Sequence, residues 1–189
     1  MTTRAGVTEA LRGISDPTQR RIAFAGLLAR EARLPPDDFV VVGGSAIEFY
    51  TSGSYTSGDI DIVSEKAQAL ARVLRGWGFS KTSRVWVDEE LRLVVDFVAS
   101  PYTGDFKRTQ ILQTPYGPVR LAAIEDLLVK RLASAKHWRI PADLEHAKAL
   151  AVLYRDRIDW GYTRRMAETY SVSDLLAALE KALGQGRPR

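Results

Sequence analysis

Two aspartates one residue apart, Asp59 and Asp61 in "DIDIV" (59–63), are spaced to share a cation. On a strand, residues i and i+2 point to the same face. The two carboxylates then stand side by side, roughly 7 Å apart at the backbone, while Ile60 and Ile62 turn to the other face. Like charges so placed repel unless a cation lies between them. Mg²⁺ suits such a site, because it takes oxygen ligands and leaves room for phosphates. Taken alone, the pair is more often two solvated acids at a strand start after a glycine turn.

A third acid adds weight to the cation. Asp96 sits in "LRLVVDFVA" (91–99), where Leu91, Leu93 and Val95 share one face and Arg92, Val94, Asp96 and Val98 the other. A carboxylate among apolar neighbours is costly to bury unless it is paired or bound to a metal. Asp96 joins Asp59 and Asp61 if the two strands are neighbours; otherwise Arg84 or Arg92 is its partner. Three carboxylates on adjacent strands can hold two metal ions about 3.5–4 Å apart, the arrangement that clamps an in-line phosphoryl or nucleotidyl transfer. "VVGGSA" (41–46) supplies a strand, a Gly-Gly turn and a helix start. Gly43 and Gly44 allow close backbone approach, and the N–H groups near Ser45 favour an anion. The run is neither a P-loop nor a dinucleotide fingerprint, because the lysine and the third glycine are absent.

Strands and helices must hold these groups in place. "SDPTQRRIAFAGLLAREARL" (15–34) reads as a helix capped by Asp16, with Pro17 in its first turn. "FVVV" (39–42) is a fully apolar strand, followed by a short helix over 45–51. The glycine-rich loop "YTSGSYTSG" (50–58) reads as a mobile rim. Ser64 can cap a helix ending at Gly76 or Gly78. "SRVWVD" and "LRLVVDFVA" form a hairpin turning at Glu89–Glu90, and a second hairpin turns at Tyr116–Gly117. Beyond Ala123 the pattern is helical: 123–138, 142–157, 159–170 and 171–183, the last capped at Ser171 or Ser173, with a frayed tail. The expected fold is α+β: a mixed sheet flanked by helices over residues 1–122, then a helical subdomain over 123–189.

Composition narrows the classes further. The 189 residues are 46% hydrophobic and 26% charged, which fits a globular chain able to bury a core. The absence of cysteine excludes disulfides and thiolate metal sites, and two histidines argue against a histidine-rich zinc site. No apolar run is long enough for a membrane helix, and the first residues lack a signal peptide's apolar core, so the expectation is cytoplasmic. A net charge of +4 permits a polyanionic partner such as RNA.

Over residues 38–98 the apolar strand, "GGS", the short helix, "DIDIV" and the later strand with Asp96 resemble the DNA polymerase β-like nucleotidyltransferases. The resemblance implies that Gly43, Gly44 and Ser45 bind an NTP triphosphate. It implies that Asp59, Asp61 and Asp96 hold Mg²⁺, two ions or Mn²⁺ in their place, with Asp96 helping to activate the attacking hydroxyl. "IEDLLVKRLASAKHWRIPADLEHAKAL" (124–150) is similar to the second half of the AbiEii/MenT-type toxin nucleotidyltransferases. There Lys130 matches a lysine that contacts NTP phosphates, and Asp143 matches the aspartate that follows. Asp143 equally suits a helix N-cap. The function implied is transfer of an NMP to an acceptor hydroxyl, with tRNA 3′ ends the first acceptor and a cognate antitoxin protein as partner. A protein hydroxyl, an aminoglycoside, or a non-catalytic nucleotide- or RNA-binding module remain the alternatives. Trp77, Trp86, Trp138 and Trp160 read first as core or rim anchors, and Trp138, beside Arg139, is the one candidate among them for stacking on RNA.

Overall fold

The computed structural model describes residues 2–98 and 100–184. The chain forms two compact units, Met1–Ala122 and Ala123–Arg189. The fold is α+β, with helices and a seven-stranded mixed sheet.

The first unit opens with α1 (Arg4–Leu11), whose Thr3 side chain caps the helix by accepting from Gly6 N. The sequence pattern hides this helix, because only Val7 and Leu11 are buried and a glycine stands in its first turn. Arg4 fastens it by pairing with Asp88 and Glu90. Next, α2 (Pro17–Glu31) starts as its residues dictate, with Asp16 accepting from Gln19 N and Pro17 at the first position. Its core includes Phe24, which stacks on Phe79 and meets Trp77 edge-on. β1 (Val40–Val41) runs into α3 (Gly43–Tyr50), which is buried from Gly44 onward. β2 (Ile60–Val63) leads to α4 (Ala67–Gly76). Ser64 accepts from Lys66 N rather than capping α4, which begins after Lys66.

A meander of β3 (Ser80–Thr82), β4 (Val85–Asp88) and β5 (Leu93–Phe97) comes next. β3 is a polar, fully exposed edge, which is why no hydrophobic alternation announces it. The hairpin of β6 (Gln110–Thr114) and β7 (Gly117–Leu121) completes the sheet, in the order β3-β4-β5-β2-β1-β7-β6. Two pairings position the aspartates. β2 lies antiparallel to β1, and parallel to β5 with Asp61 opposite Asp96.

The second unit contains α5 (Ile124–His137), α6 (Pro141–Leu153), α7 (Trp160–Thr169) and α8 (Ser173–Ala182). Leu128, Leu132, Ala147, Leu150, Ala167 and Leu176 fill its core. Asp159 caps α7 by accepting from Tyr162 N. The residue before α8 is Val172, not a serine; Ser171 instead takes a left-handed φ of 57° where α7 ends. Trp138 is 71% exposed. From residue 185 on, the tail read as frayed lies outside the described residues, as does Ala99 at the end of the expected strand. Among the described residues no helix is long and apolar enough to cross a membrane.

Candidate metal centre

The β2–β5 register does what the spacing of the aspartates anticipates. Asp59 stands in the bend just before β2, Asp61 lies on β2, and Asp96 is its neighbour on β5. Each offers one carboxylate oxygen, and these oxygens lie within 4.8 Å of one another. Asp59 and Asp61 are half-buried, whereas Asp96 is only 2% exposed.

Each carboxylate is seated by a different neighbour. Ser57 Oγ donates to Asp59 Oδ1 at 3.0 Å. Gly44 N–H donates to Asp61 Oδ2 at 3.1 Å. Arg84 Nε lies 3.0 Å from Asp96 Oδ2 as an ion pair, from a side chain that is 80% exposed. Asp96 Oδ1, by contrast, is buried and has no hydrogen-bond partner among the described residues. A buried carboxylate oxygen without a donor is costly. Burial, first, and the nearby Asp59 carboxylate push the Asp61 carboxyl up to about 6, against the opposing Ser45 and Gly44 N–H groups. An oxygen-only donor set, an orphaned oxygen and a carboxyl held up by crowding all fit a hard divalent cation.

The glycine turn serves this cluster directly. Gly43 has φ +59°, a left-handed conformation that disfavours side chains. A Cβ there meets Asp61 Oδ2 in a forbidden contact and Asp61 Cγ at 2.9 Å. A Cβ on Gly44 meets Ser57 Oγ at 2.9 Å. The anion at the start of α3 is thus the Asp61 carboxylate itself. Ser45 is fully buried. Its hydroxyl donates to Val42 O and accepts from Asp61 N, both at 2.9 Å. The Ser45 hydroxyl thus locks the turn to β2. Gly43→Ala is expected to lower the melting temperature by the equivalent of about 2 kcal/mol or more, the cost of a left-handed side chain plus the clash. Calorimetric Mg²⁺ titration of the same variant should show affinity reduced about tenfold, the scale of disturbing a ligand's support.

Sequence reasoning missed Glu48. It is fully buried in α3 between Ile47 and Phe49. It accepts from Thr18 Oγ1 at 2.6 Å, Arg21 Nε at 3.0 Å and Ser57 N at 2.8 Å, and Arg21 also pairs with it through its terminal nitrogen. Gly53 N donates to the Glu48 backbone carbonyl at 3.0 Å. The loop expected to be a mobile rim is therefore fastened to α3 at both Gly53 and Ser57. A glutamate inside a helix that is otherwise apolar all round was the available signal.

Lys130 and Asp143 belong to the second unit. Burial holds the Lys130 ammonium below the usual lysine range, with the Asp126 carboxylate pulling it back up. Asp143 lies in the first turn of α6 but does not cap it; the capping position is Ile140, with no side-chain bond. The Asp143 carboxylate is buried, bonded to Arg131 at 2.7 Å, to Ser134, and to His146 Nδ1 at 3.2 Å. Ser134 and Arg131, working against burial, hold its carboxyl below the usual range. Asp143→Ala is expected to destabilise the second unit by about 2–3 kcal/mol, because Arg131 loses its partner and a cavity opens. Hydrogen exchange across α5 and α6 measures this directly.

No protein-family model matches the chain, and no curated protein is similar enough to it to count as a match.

Proposed function

We propose that this protein is a metal-dependent nucleotidyltransferase whose centre is Asp59, Asp61 and Asp96. The observation that carries the reading is the convergence of three carboxylates around an orphaned Asp96 oxygen. A protein with no cation to hold has no energetic reason to crowd these charges. Oxygen ligands of this kind suit Mg²⁺ and, in its place, Mn²⁺. Bound on the three carboxylates, the ion supplies charge neutralisation of the NTP phosphates and lowers the pKa of the acceptor hydroxyl.

The residues of the chain position and neutralise. Ser57 turns the Asp59 carboxylate, Gly44 holds Asp61, and Arg84 covers one oxygen of Asp96. The acceptor oxygen attacks the α-phosphorus, the bond to the bridging oxygen of the β-phosphate breaks, and pyrophosphate leaves. The hydroxyl proton passes to a carboxylate of the cluster and on to water. Such a site accelerates transfer by orientation and charge rather than by covalent chemistry. The acceptor we propose is an RNA 3′ hydroxyl, tRNA first, in keeping with the toxin-type resemblance and the net positive charge of +4.

A labelled-NTP assay tests this. The protein is incubated with Mg²⁺ and each of the four NTPs, with total tRNA, cell protein or an aminoglycoside as acceptor. Label is expected on RNA, and lost in Asp59→Ala/Asp61→Ala. Transfer to none of the acceptors refutes the enzyme, and label on protein alone refutes the RNA acceptor.

A further inference from the structure

The first unit carries a second concave site, built from arginines. Ser15, Pro17, Arg20 and Arg21 at the start of α2 face Leu91, Arg92 and Leu93 at the start of β5 across a cavity of about 250 Å³. The three arginines differ sharply in how they are satisfied. Arg21 is held by Glu48. Arg20 and Arg92 have no ion-pair partner among the described residues, and Arg20 Nε is buried without a hydrogen bond. Asp16, the nearest acid in sequence, has its carboxylate engaged by Gln19 N. Arg92, which lines the cavity, is exposed and stands in a left-handed turn, φ +52°.

Arginines that line one cavity, two of them without a paired acid, favour an anion, and a buried Nε–H without an acceptor is costly. An oxyanion resolves both, since a phosphate accepts paired N–H bonds from the planar guanidinium fork. The site is also connected to the carboxylate cluster. Arg21 holds Glu48, Glu48 holds Ser57 N, and Ser57 Oγ donates to Asp59. On β5, Leu93 precedes Asp96 by three residues, about 10 Å along the strand and on the opposite face, so the link between the sites runs through Glu48 and Ser57.

We infer that Arg20, Arg21 and Arg92 form a phosphate-binding subsite that grips a backbone phosphate of the acceptor strand while its 3′ end lies at the carboxylates. The phosphate chemistry stands on the arginines alone; the acceptor strand as its source rests on the nucleotidyltransferase reading. The subsite makes the acceptor a polynucleotide rather than a small molecule.

The test uses Arg20→Gln/Arg92→Asn, with Arg72→Gln, an exposed charge on α4, as the control. Both replacements suit their backbones, because Gln is a good helix former and Asn tolerates a left-handed φ. At low salt without anion, the double variant is expected to melt no lower than the parent. Inorganic phosphate is expected to raise the parent's melting temperature and leave the double variant unmoved. By fluorescence anisotropy, a single-stranded RNA is expected to bind the double variant at least tenfold more weakly. The salt slope should fall by about 0.7, one phosphate's share. Arg72→Gln should change neither measurement by more than about twofold. Phosphate protection without an RNA effect identifies a free phosphate anion as the ligand and keeps the subsite. A parent that responds to neither probe, or a control that weakens RNA as much as the double variant, overturns it. Mg²⁺ titration and label transfer report on the carboxylates separately, so either reading can fail alone.

Discussion

Asp61→Asn is expected to raise the melting temperature of the metal-free protein at pH 8 and, in the same molecule, to abolish Mg²⁺ binding. The Asp61 carboxyl is pushed up from 3.8 to about 6 by burial and by Asp59. A group whose folded pKa is raised stabilises the protein fully below its unfolded value and loses that contribution as pH rises through the folded one. The metal-free protein therefore loses stability between about pH 4 and pH 6, and carries the repulsion at pH 8. A rise of about two pKa units corresponds to at most about 3 kcal/mol, or several degrees for a chain of this size. Asparagine removes the charge and keeps an oxygen for Gly44 N–H. Mg²⁺ competes with the proton, so its stabilisation of the parent should grow above pH 6 and be absent in the variant. Label transfer should fall by roughly 10²–10³-fold, the scale of losing one charge-stabilising group in a site. Melting curves from pH 4 to 8, with and without Mg²⁺, decide the matter. A variant no more stable than the parent at pH 8 contradicts the crowding, and undiminished Mg²⁺ protection contradicts the metal site.

Glu48→Ala is expected to cost about 3–5 kcal/mol, the largest single effect in the first unit. Glu48 is fully buried and Arg21 is only 12% exposed, so truncation leaves a largely buried guanidinium without its counter-charge. Ser57 N and Thr18 Oγ1 lose their acceptor together with it. Glu48→Gln keeps the shape but not the charge, and should cost about half as much. The consequence at the centre is indirect. Ser57 orients Asp59 only while Glu48 anchors its backbone, so Mg²⁺ affinity in Glu48→Gln is expected to fall about tenfold. Denaturant unfolding and Mg²⁺ titration of the Gln variant separate the two effects. A Glu48→Ala protein as stable as the parent refutes the anchor.

The sequence disclosed these features unevenly. Asp59, Asp61 and Asp96 were legible because strand alternation fixes which side chains share a face, and an acid in an apolar strand needs a reason. The need for glycine at 43 was legible too, but not its beneficiary. Within the chain, the Gly44 N–H of this turn seats Asp61, a partner that no local pattern announces. Glu48 escaped because its partners, Thr18, Arg21 and Ser57, are brought to it by tertiary packing that no local period encodes. α1 and β3 escaped for the opposite reason: one buries two residues, the other none. The strong patterns lie in the elements that build the sheet's centre, and the weak ones lie at its margins.

The pairing of Asp61 with Asp96 has a consequence for how the chain arrives at its fold. β2 and β5 are parallel neighbours separated in sequence by α4, β3 and β4. Their alignment is among the later things a folding chain can establish, since a long loop must close first. A slip of one residue along β5 exchanges the two faces and sends Asp96 to the side opposite Asp61. The misaligned sheet keeps its hydrogen bonds but has only two acids to offer an ion. On the proposed metal-binding reading, a divalent ion would bind the correct alignment selectively and so proofread the strand register as the chain folds.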